Sequence, residues 1–151
     1  MKNKITNLYA YQISCLLERK KIDPVILLEQ FIENFEKSSN QKKYAFSKFL
    51  KKESLKEAES AWKRQREGNR LSIFDGIPTG WKDVIDIYNS PALAGSALLR
   101  KTRINKIVKD ATVVSRAKKK GMISLAKTST VEFAFGGLGI NFSSPYPPNL
   151  M

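Results

Sequence analysis

The sequence contains no histidine, and Cys15 is its single cysteine. Without histidine the chain cannot build a Ser-His-Asp or Cys-His nucleophile. The same shortage excludes a structural zinc site, so we expect neither a metal ion nor a cofactor. Any acid–base chemistry near neutral pH must therefore use a lysine, a carboxylate or a tyrosine with a perturbed pKa.

Long apolar runs are absent as well. The 151 residues include no stretch of 18 apolar residues, and the charged N-terminus has no apolar segment behind it. A transmembrane helix and a secretory signal are therefore not predicted. Because one cysteine forms no internal disulfide, we expect a reducing, cytoplasmic location without membrane contact.

Acidic residues are few relative to basic ones. The chain has 14 Asp and Glu against 27 Lys and Arg, a formal net charge of +13. Such an excess indicates either a nucleic-acid footprint or a lysine-rich solvated surface. Aromatic residues are not interleaved with the lysines as in a base-stacking platform, so we favour the solvated surface. Nucleic acid is not an expected partner, although a basic binding module stays open as an alternative.

The length is that of one domain. We predict a single α/β domain, with an N-terminal helical segment over residues 1–68 and an α/β core that starts within residues 69–151. Asp23 and Pro24 are typical of a helix start, and Gly68 is typical of a helix end.

Further elements follow from the local patterns. Ser54 and Glu57 have the spacing of a capping box, which predicts a helix start at Ser54. Partial alternation predicts a strand over residues 81–87, and residues 89–105 are predicted to form a long loop. A short apolar segment at residues 122–125 predicts a buried strand.

Several short motifs follow one another in the second half of the chain. They resemble, in order and at compatible spacing, the boxes of the amidase signature enzymes. The motifs are Asp75-Gly76-Ile77-Pro78 with Lys82-Asp83, Ala94-Gly95-Ser96, Asp110-Ala111-Thr112-Val113-Val114, Gly121-Met122-Ile123 with Lys127-Thr128, and Glu132-Phe133-Ala134-Phe135-Gly136. The resemblance implies the N-terminal part of that family's mixed sheet, with helices packed around it.

The resemblance also implies a chemistry. Amidase signature enzymes cleave carboxamides to a carboxylate and ammonia or an amine through a Ser–cis-Ser–Lys triad, and Lys82 matches the family's lysine. A lysine with its ordinary pKa of about 10.4 is protonated at neutral pH, and burial can lower that value by up to about 3–5 units. We expect the flanking Trp81, Val84 and Ile85 to supply that burial. Lys127 is expected to be structural or solvent-facing.

The sequence departs from the family pattern at the serines. In the family these lie in a Gly-Gly-Ser-Ser-rich segment beyond an Asn-Pro step, where Asn149 would stand. The printed sequence has no such segment, and Ser143 and Ser144 do not match it. We therefore expect a truncated chain with an incomplete sheet, inactive alone. Its expected partners are a small amide substrate and a downstream fragment of a split gene.

Other roles and alternatives remain. Phe135, Gly136 and Gly137 are predicted to bind substrate, because glycine allows close approach, although turn glycines have the same signature. The segment from Val131 to Gly137 is closer to general amidohydrolases than to the A-type chains of glutamyl-tRNA amidotransferases, whose box reads Asp-Glu-Phe-Ala-Met-Gly. A fragment of such an amidotransferase chain is the enzyme alternative, and a non-catalytic remnant is the other. The sequence leaves open whether this chain is itself an enzyme.

Overall fold

A computed structural model describes residues 5 and 7–147. Its elements alternate between helices and strands, and the α/β prediction is confirmed. They are α1 (Ala10–Glu18), α2 (Pro24–Lys37), α3 (Asn40–Lys43), β1 (Phe46–Phe49), α4 (Lys51–Glu67), β2 (Pro78–Lys82), α5 (Ala97–Arg103), α6 (Thr112–Lys119) and β3 (Ile123–Thr128), followed by a 3-10 turn at Glu132–Ala134. Asn149 lies outside the described residues.

The three strands form a mixed sheet in the order β1-β3-β2. β1 is antiparallel to β3, with Phe46 opposite Thr128 and Lys48 opposite Lys127. β2 and β3 run parallel, because the residues joined by hydrogen bonds advance together: Ile123 N–H donates to the Ile77 carbonyl, and Asp83 N–H donates to the Thr128 carbonyl. β3 is buried along most of its length, as expected of a central strand.

The chain divides into two compact units, each built from three segments. The first comprises Met1–Lys37, Leu50–Thr79 and Arg116–Leu125, and the second comprises Ser38–Phe49, Gly80–Ser115 and Ala126–Met151. The predicted boundary at residue 68 stays a prediction. Within the described part of the chain, no helix combines the length and the apolar character that crossing a bilayer requires.

The first unit has an apolar core and a set of buried polar anchors. Its buried apolar cluster consists of Ile13, Leu17, Ile22, Leu27 and Ile77. α4 is tied to this cluster by Gln65, whose amide nitrogen donates to the backbone carbonyls of Leu17 at 2.6 Å and Ile22 at 2.8 Å. These bonds satisfy backbone groups that a helix end leaves without partners.

Asp75 is a second anchor in the first unit. Its carboxylate accepts two hydrogen bonds from the Arg64 guanidinium at 2.9 and 2.7 Å and one from Leu71 N–H at 2.9 Å. The buried Asp75 lies against Gly121, where an added Cβ would be 2.2 Å from the carboxylate oxygen. The Asp-Gly motif at residues 75–76 therefore has a structural role.

Several local predictions are confirmed. α2 begins at Pro24, and the Asp23 carboxylate accepts a hydrogen bond from Val25 N–H at 2.6 Å. Gly68 follows α4 in the left-handed region with φ +75°. The strand predicted at residues 122–125 is part of β3.

Three local predictions are wrong. α4 begins at Lys51, so Ser54 lies inside the helix and donates to the Lys51 carbonyl, while Glu57 accepts from Ser124 N–H. The strand predicted at residues 81–87 is β2 at Pro78–Lys82, because the chain turns after Asp83. The loop predicted at residues 89–105 contains α5, whose exposed surface gave no amphipathic signal.

Candidate functional site

Lys82 is the last residue of β2, and its side chain is exposed. The expectation that Trp81, Val84 and Ile85 bury it is wrong in this structure. Successive side chains of an extended strand point to opposite faces, so Trp81 and Asp83 are buried while Lys82 between them points outward. Val84 is itself 41% exposed. The described residues therefore leave the Lys82 amine in contact with solvent.

The neighbouring Asp83 forms a buried ion pair that the sequence did not predict. Its carboxylate lies 3.0 Å from the Lys127 ammonium, and the two residues are 2% and 1% exposed. Lys127 also donates to the backbone carbonyls of Ser90 at 3.1 Å and Pro91 at 2.7 Å. All three donors of the ammonium group are thus used. Of the two expectations for Lys127, the solvent-facing one is wrong and the structural one fits.

Burial lowers the pKa of the Lys127 ammonium, because removing it from water disfavours the charged form. The Asp83 carboxylate acts in the opposite direction, through its hydrogen bond and its charge, and Asp86 adds a smaller effect of the same sign. The positive charge of Lys48 works with burial. This lysine is held between desolvation and a single close carboxylate.

The segment after Lys82 is fixed by its own backbone and by two carboxylates. Ala94 N–H donates to the Asp83 carbonyl at 2.7 Å, and Leu93 N–H donates to the Asp83 carboxylate at 3.3 Å. Asp86 accepts from Ala92 N–H at 2.6 Å. The chain therefore folds back on itself within about ten residues of Lys82, which fixes the backbone that carries this lysine.

Two small polar cavities adjoin Asp83. One has a volume of about 180 Å³ and is lined in part by Tyr44, Asp83, Gly95, Ser129 and Ser144. The other has a volume of about 220 Å³ and is lined in part by Lys48, Asp83, Ser90, Leu93, Arg100 and Lys127. Lys82 lines neither of them. The site is therefore a polar, mainly cationic region beside the proposed base.

The predicted substrate-binding residues are not brought to these cavities. The Phe135 side chain is 94% exposed, and an added Cβ at Gly137 would have no atom within 4 Å. Gly136 lies near Val131. Their role in substrate binding stays a prediction.

Asn141 is a residue that the sequence analysis missed. Its buried amide nitrogen donates to the carbonyls of Gly95 and Thr130, both at 2.9 Å, and its oxygen accepts from Ser143 N–H at 2.7 Å. It joins the small-residue loop at Gly95 to the glycine-rich segment. A lone polar residue in that glycine-rich stretch was the available signal.

No metal centre is visible in the described part of the chain. Across residues 5 and 7–147, no group of three or more histidine, cysteine, aspartate or glutamate side chains is placed to hold a metal ion. The cations and hydroxyl groups around Asp83 are suited instead to hydrogen bonding and to proton chemistry by lysine.

Comparisons with known proteins agree with the motifs. The fatty acid amide hydrolase of Medicago truncatula is 34% identical over 135 residues, which are 88% of this chain and 21% of that protein. The A-type chain of the glutamyl-tRNA(Gln) amidotransferase of Nitrosomonas europaea is 34% identical over 139 residues, which are 91% of this chain and 27% of that protein. A solved amidase structure superposes with a TM-score of 0.77 at 26% identity, covering 92% of this chain and 31% of that one.

The chain therefore spans about a fifth to a third of the relatives it matches. The family model described as Amidase matches residues 27–146, which include the Lys82 and Lys127 motifs. Together with the mixed sheet and the ordered boxes, this match shows that the chain belongs to the amidase family.

Proposed function

We propose that this chain carries the lysine-bearing part of an active site that hydrolyses a carboxamide to a carboxylate and ammonia or an amine. The observation that carries the proposal is the placement of Lys82. It ends β2 directly before Asp83, and Asp83 is fixed by Lys127 at 3.0 Å. A base must be held in a defined position to accept a proton, and this arrangement supplies a rigid backbone for it.

In the proposed mechanism a serine attacks the amide carbonyl, a second serine relays the proton, and Lys82 accepts it. Acceptance requires a neutral amine, which burial of the lysine favours. The exposed side chain of Lys82 therefore has to be covered in the active state. We propose that further polypeptide supplies this cover and both serines, and that a small amide is the substrate.

The matched relatives favour two substrate classes. One is named for fatty acid amides and the other for glutamyl-tRNA(Gln). We favour a simple carboxamide over the amidotransferase reaction, because the segment Val131-Glu132-Phe133-Ala134-Phe135 lacks the Asp and Met typical of the amidotransferase box. The amidotransferase chain stays the second candidate.

A chimera tests the role of Lys82. Residues 27–146 replace the matched segment of the Medicago truncatula fatty acid amide hydrolase, and hydrolysis of a fatty acid amide is measured. We expect activity in the chimera and a loss of about 10²–10⁴-fold in kcat with Lys82→Ala, the contribution of a positioned acid–base group. The matched control is Lys101→Ala, an exposed lysine of α5. Undiminished activity of the Lys82→Ala chimera, with the control also active, would refute the assignment.

The isolated chain gives a complementary test. We expect purified 1–151 to show no hydrolysis of simple amides, because the printed sequence lacks the Gly-Gly-Ser-Ser segment. The measurement is ammonia release with and without Lys82→Ala. Turnover that disappears with Lys82→Ala would place a nucleophile within this chain, at Ser96, Ser129, Ser143 or Ser144.

A further inference from the structure

We propose that the cavity of about 220 Å³ beside Asp83 and Lys127 binds a small organic carboxylate with a short apolar chain. We name it the Arg100 cavity, after a guanidinium that lines it. The inference goes beyond the proposed function, because it concerns binding by this chain and requires no hydrolysis.

The first observation is a buried hydroxyl group in the lining. Ser90 is 1% exposed, and within the described part of the chain its Oγ has no hydrogen-bond partner. The Ser90 carbonyl is already used by Lys127. Buried hydroxyl groups almost always have a partner, and one without a protein partner in a cavity wall indicates a ligand or water oxygen.

The second observation is the charge of the lining. Lys48, Arg100 and Lys127 contribute three cations, against the single carboxylate of Asp83. Asp83 is paired with Lys127 at 3.0 Å. Lys48 and Arg100 are exposed, and among the described residues neither forms an ion pair. The cavity therefore has an uncompensated positive charge that an anion would neutralise.

The strand register adds an independent argument. Lys48 of β1 lies directly opposite Lys127 of β3. Like charges in opposite positions of an antiparallel pair destabilise the sheet. An anion bound between these two side chains would convert a repulsive pair into two attractive contacts.

The chemistry of the remaining lining selects the type of anion. Pro91, Leu93 and Ile104 present apolar surface in the same cavity. An inorganic oxyanion makes no use of that surface, whereas a short aliphatic chain does. The planar guanidinium of Arg100 is suited to bidentate contact with a carboxylate. Together these features favour an organic carboxylate over phosphate.

The test titrates the purified chain with butyrate and follows backbone amide NMR shifts. We expect saturable shifts at residues around the cavity, with millimolar affinity, and binding at least tenfold weaker for butyramide, its neutral counterpart. Arg100→Ala should weaken butyrate binding at least tenfold. Lys101→Ala, the adjacent exposed cation of α5, should change it less than twofold. Because Arg100 and Lys101 are both exposed, neither variant should unfold the chain.

Three results would overturn the proposal. They are equal binding of butyramide, the absence of saturable shifts, and equal loss of butyrate affinity in Arg100→Ala and Lys101→Ala. Inorganic phosphate is titrated in parallel, and tighter binding of phosphate than of butyrate would identify the cavity as a site for an adventitious ion only. Failure of butyrate to bind would leave the chimera test of Lys82 unaffected, so the two proposals fail separately.

Discussion

At the scale of single residues, the ion pair between Asp83 and Lys127 is the feature with the largest energetic consequence. Two charges with almost no exposure have lost their hydration, and their mutual attraction and hydrogen bonds must offset that loss. Neither partner stands out in the sequence, because a lysine after an apolar strand normally reaches solvent and its partner lies 44 positions earlier. The Lys-Asp and Lys-Thr motifs marked both positions without indicating that they meet.

Removing one charge of this pair should be far more damaging than removing one charge of an exposed pair. We expect Asp83→Asn to lower the free energy of unfolding by about 3–5 kcal/mol, because Lys127 is left as an unpaired buried charge. The control is Glu36→Gln, which breaks the exposed pair with Lys51 at 2.6 Å and should change stability by less than about 1 kcal/mol. Urea unfolding of the three proteins measures both. Equal effects would contradict the energetic role of the buried pair.

Lys127 should also give stability a defined pH dependence. Burial lowers its pKa in the folded state below the value of about 10.4 in the unfolded chain. The unfolded chain then binds more protons in the window below about 10.4, so the contribution of Lys127 to stability rises with pH across it. The measurement is the unfolding free energy of wild type minus that of Lys127→Met between pH 7.5 and 10.5. A difference that falls as pH rises would show that Asp83 outweighs burial.

At the scale of helices and strands, the sequence predicted those elements whose signals are local. The Asp-Pro start of α2 and the left-handed Gly68 after α4 depend on neighbouring residues only. The limits of β2 were misplaced because they depend on the fold-back of residues 83–94, in which carboxylates bond to backbone amides up to ten residues away. α5 was missed because most of its residues are exposed and no apolar stripe marks it.

The turn between α6 and β3 allows a direct test of close packing. Gly121 has φ +84°, and an added Cβ would lie 2.2 Å from the Asp75 carboxylate. We expect Gly121→Ala to destabilise the chain by about 3 kcal/mol, from the left-handed conformation and from overpacking together. Gly68→Ala is the matched control, because φ is +75° there and no atom lies within 4 Å. It should lose only about 1–2 kcal/mol. Equal losses in thermal or urea unfolding would show that the contact with Asp75 does not matter.

At the scale of the whole molecule, the net charge of +13 is the dominant property. We expect weak, sequence-independent binding to single-stranded RNA that is lost near physiological salt, with a log–log slope near −0.7 for each phosphate neutralised. Fluorescence anisotropy over a salt series measures this. Sub-micromolar binding that persists at physiological salt would favour the basic binding module.

The positions of the two tryptophans have a spectroscopic consequence. Trp62 belongs to the first unit, is 37% exposed, and has the Arg66 guanidinium 4.9 Å from its ring centre. Trp81 belongs to the second unit and is 9% exposed. The two indoles should therefore differ in emission maximum and in quenching by acrylamide. A Trp62→Phe variant would leave fluorescence from the second unit alone, and a Trp81→Phe variant from the first. Each unit thus contains its own optical reporter, which can show whether the two melt together.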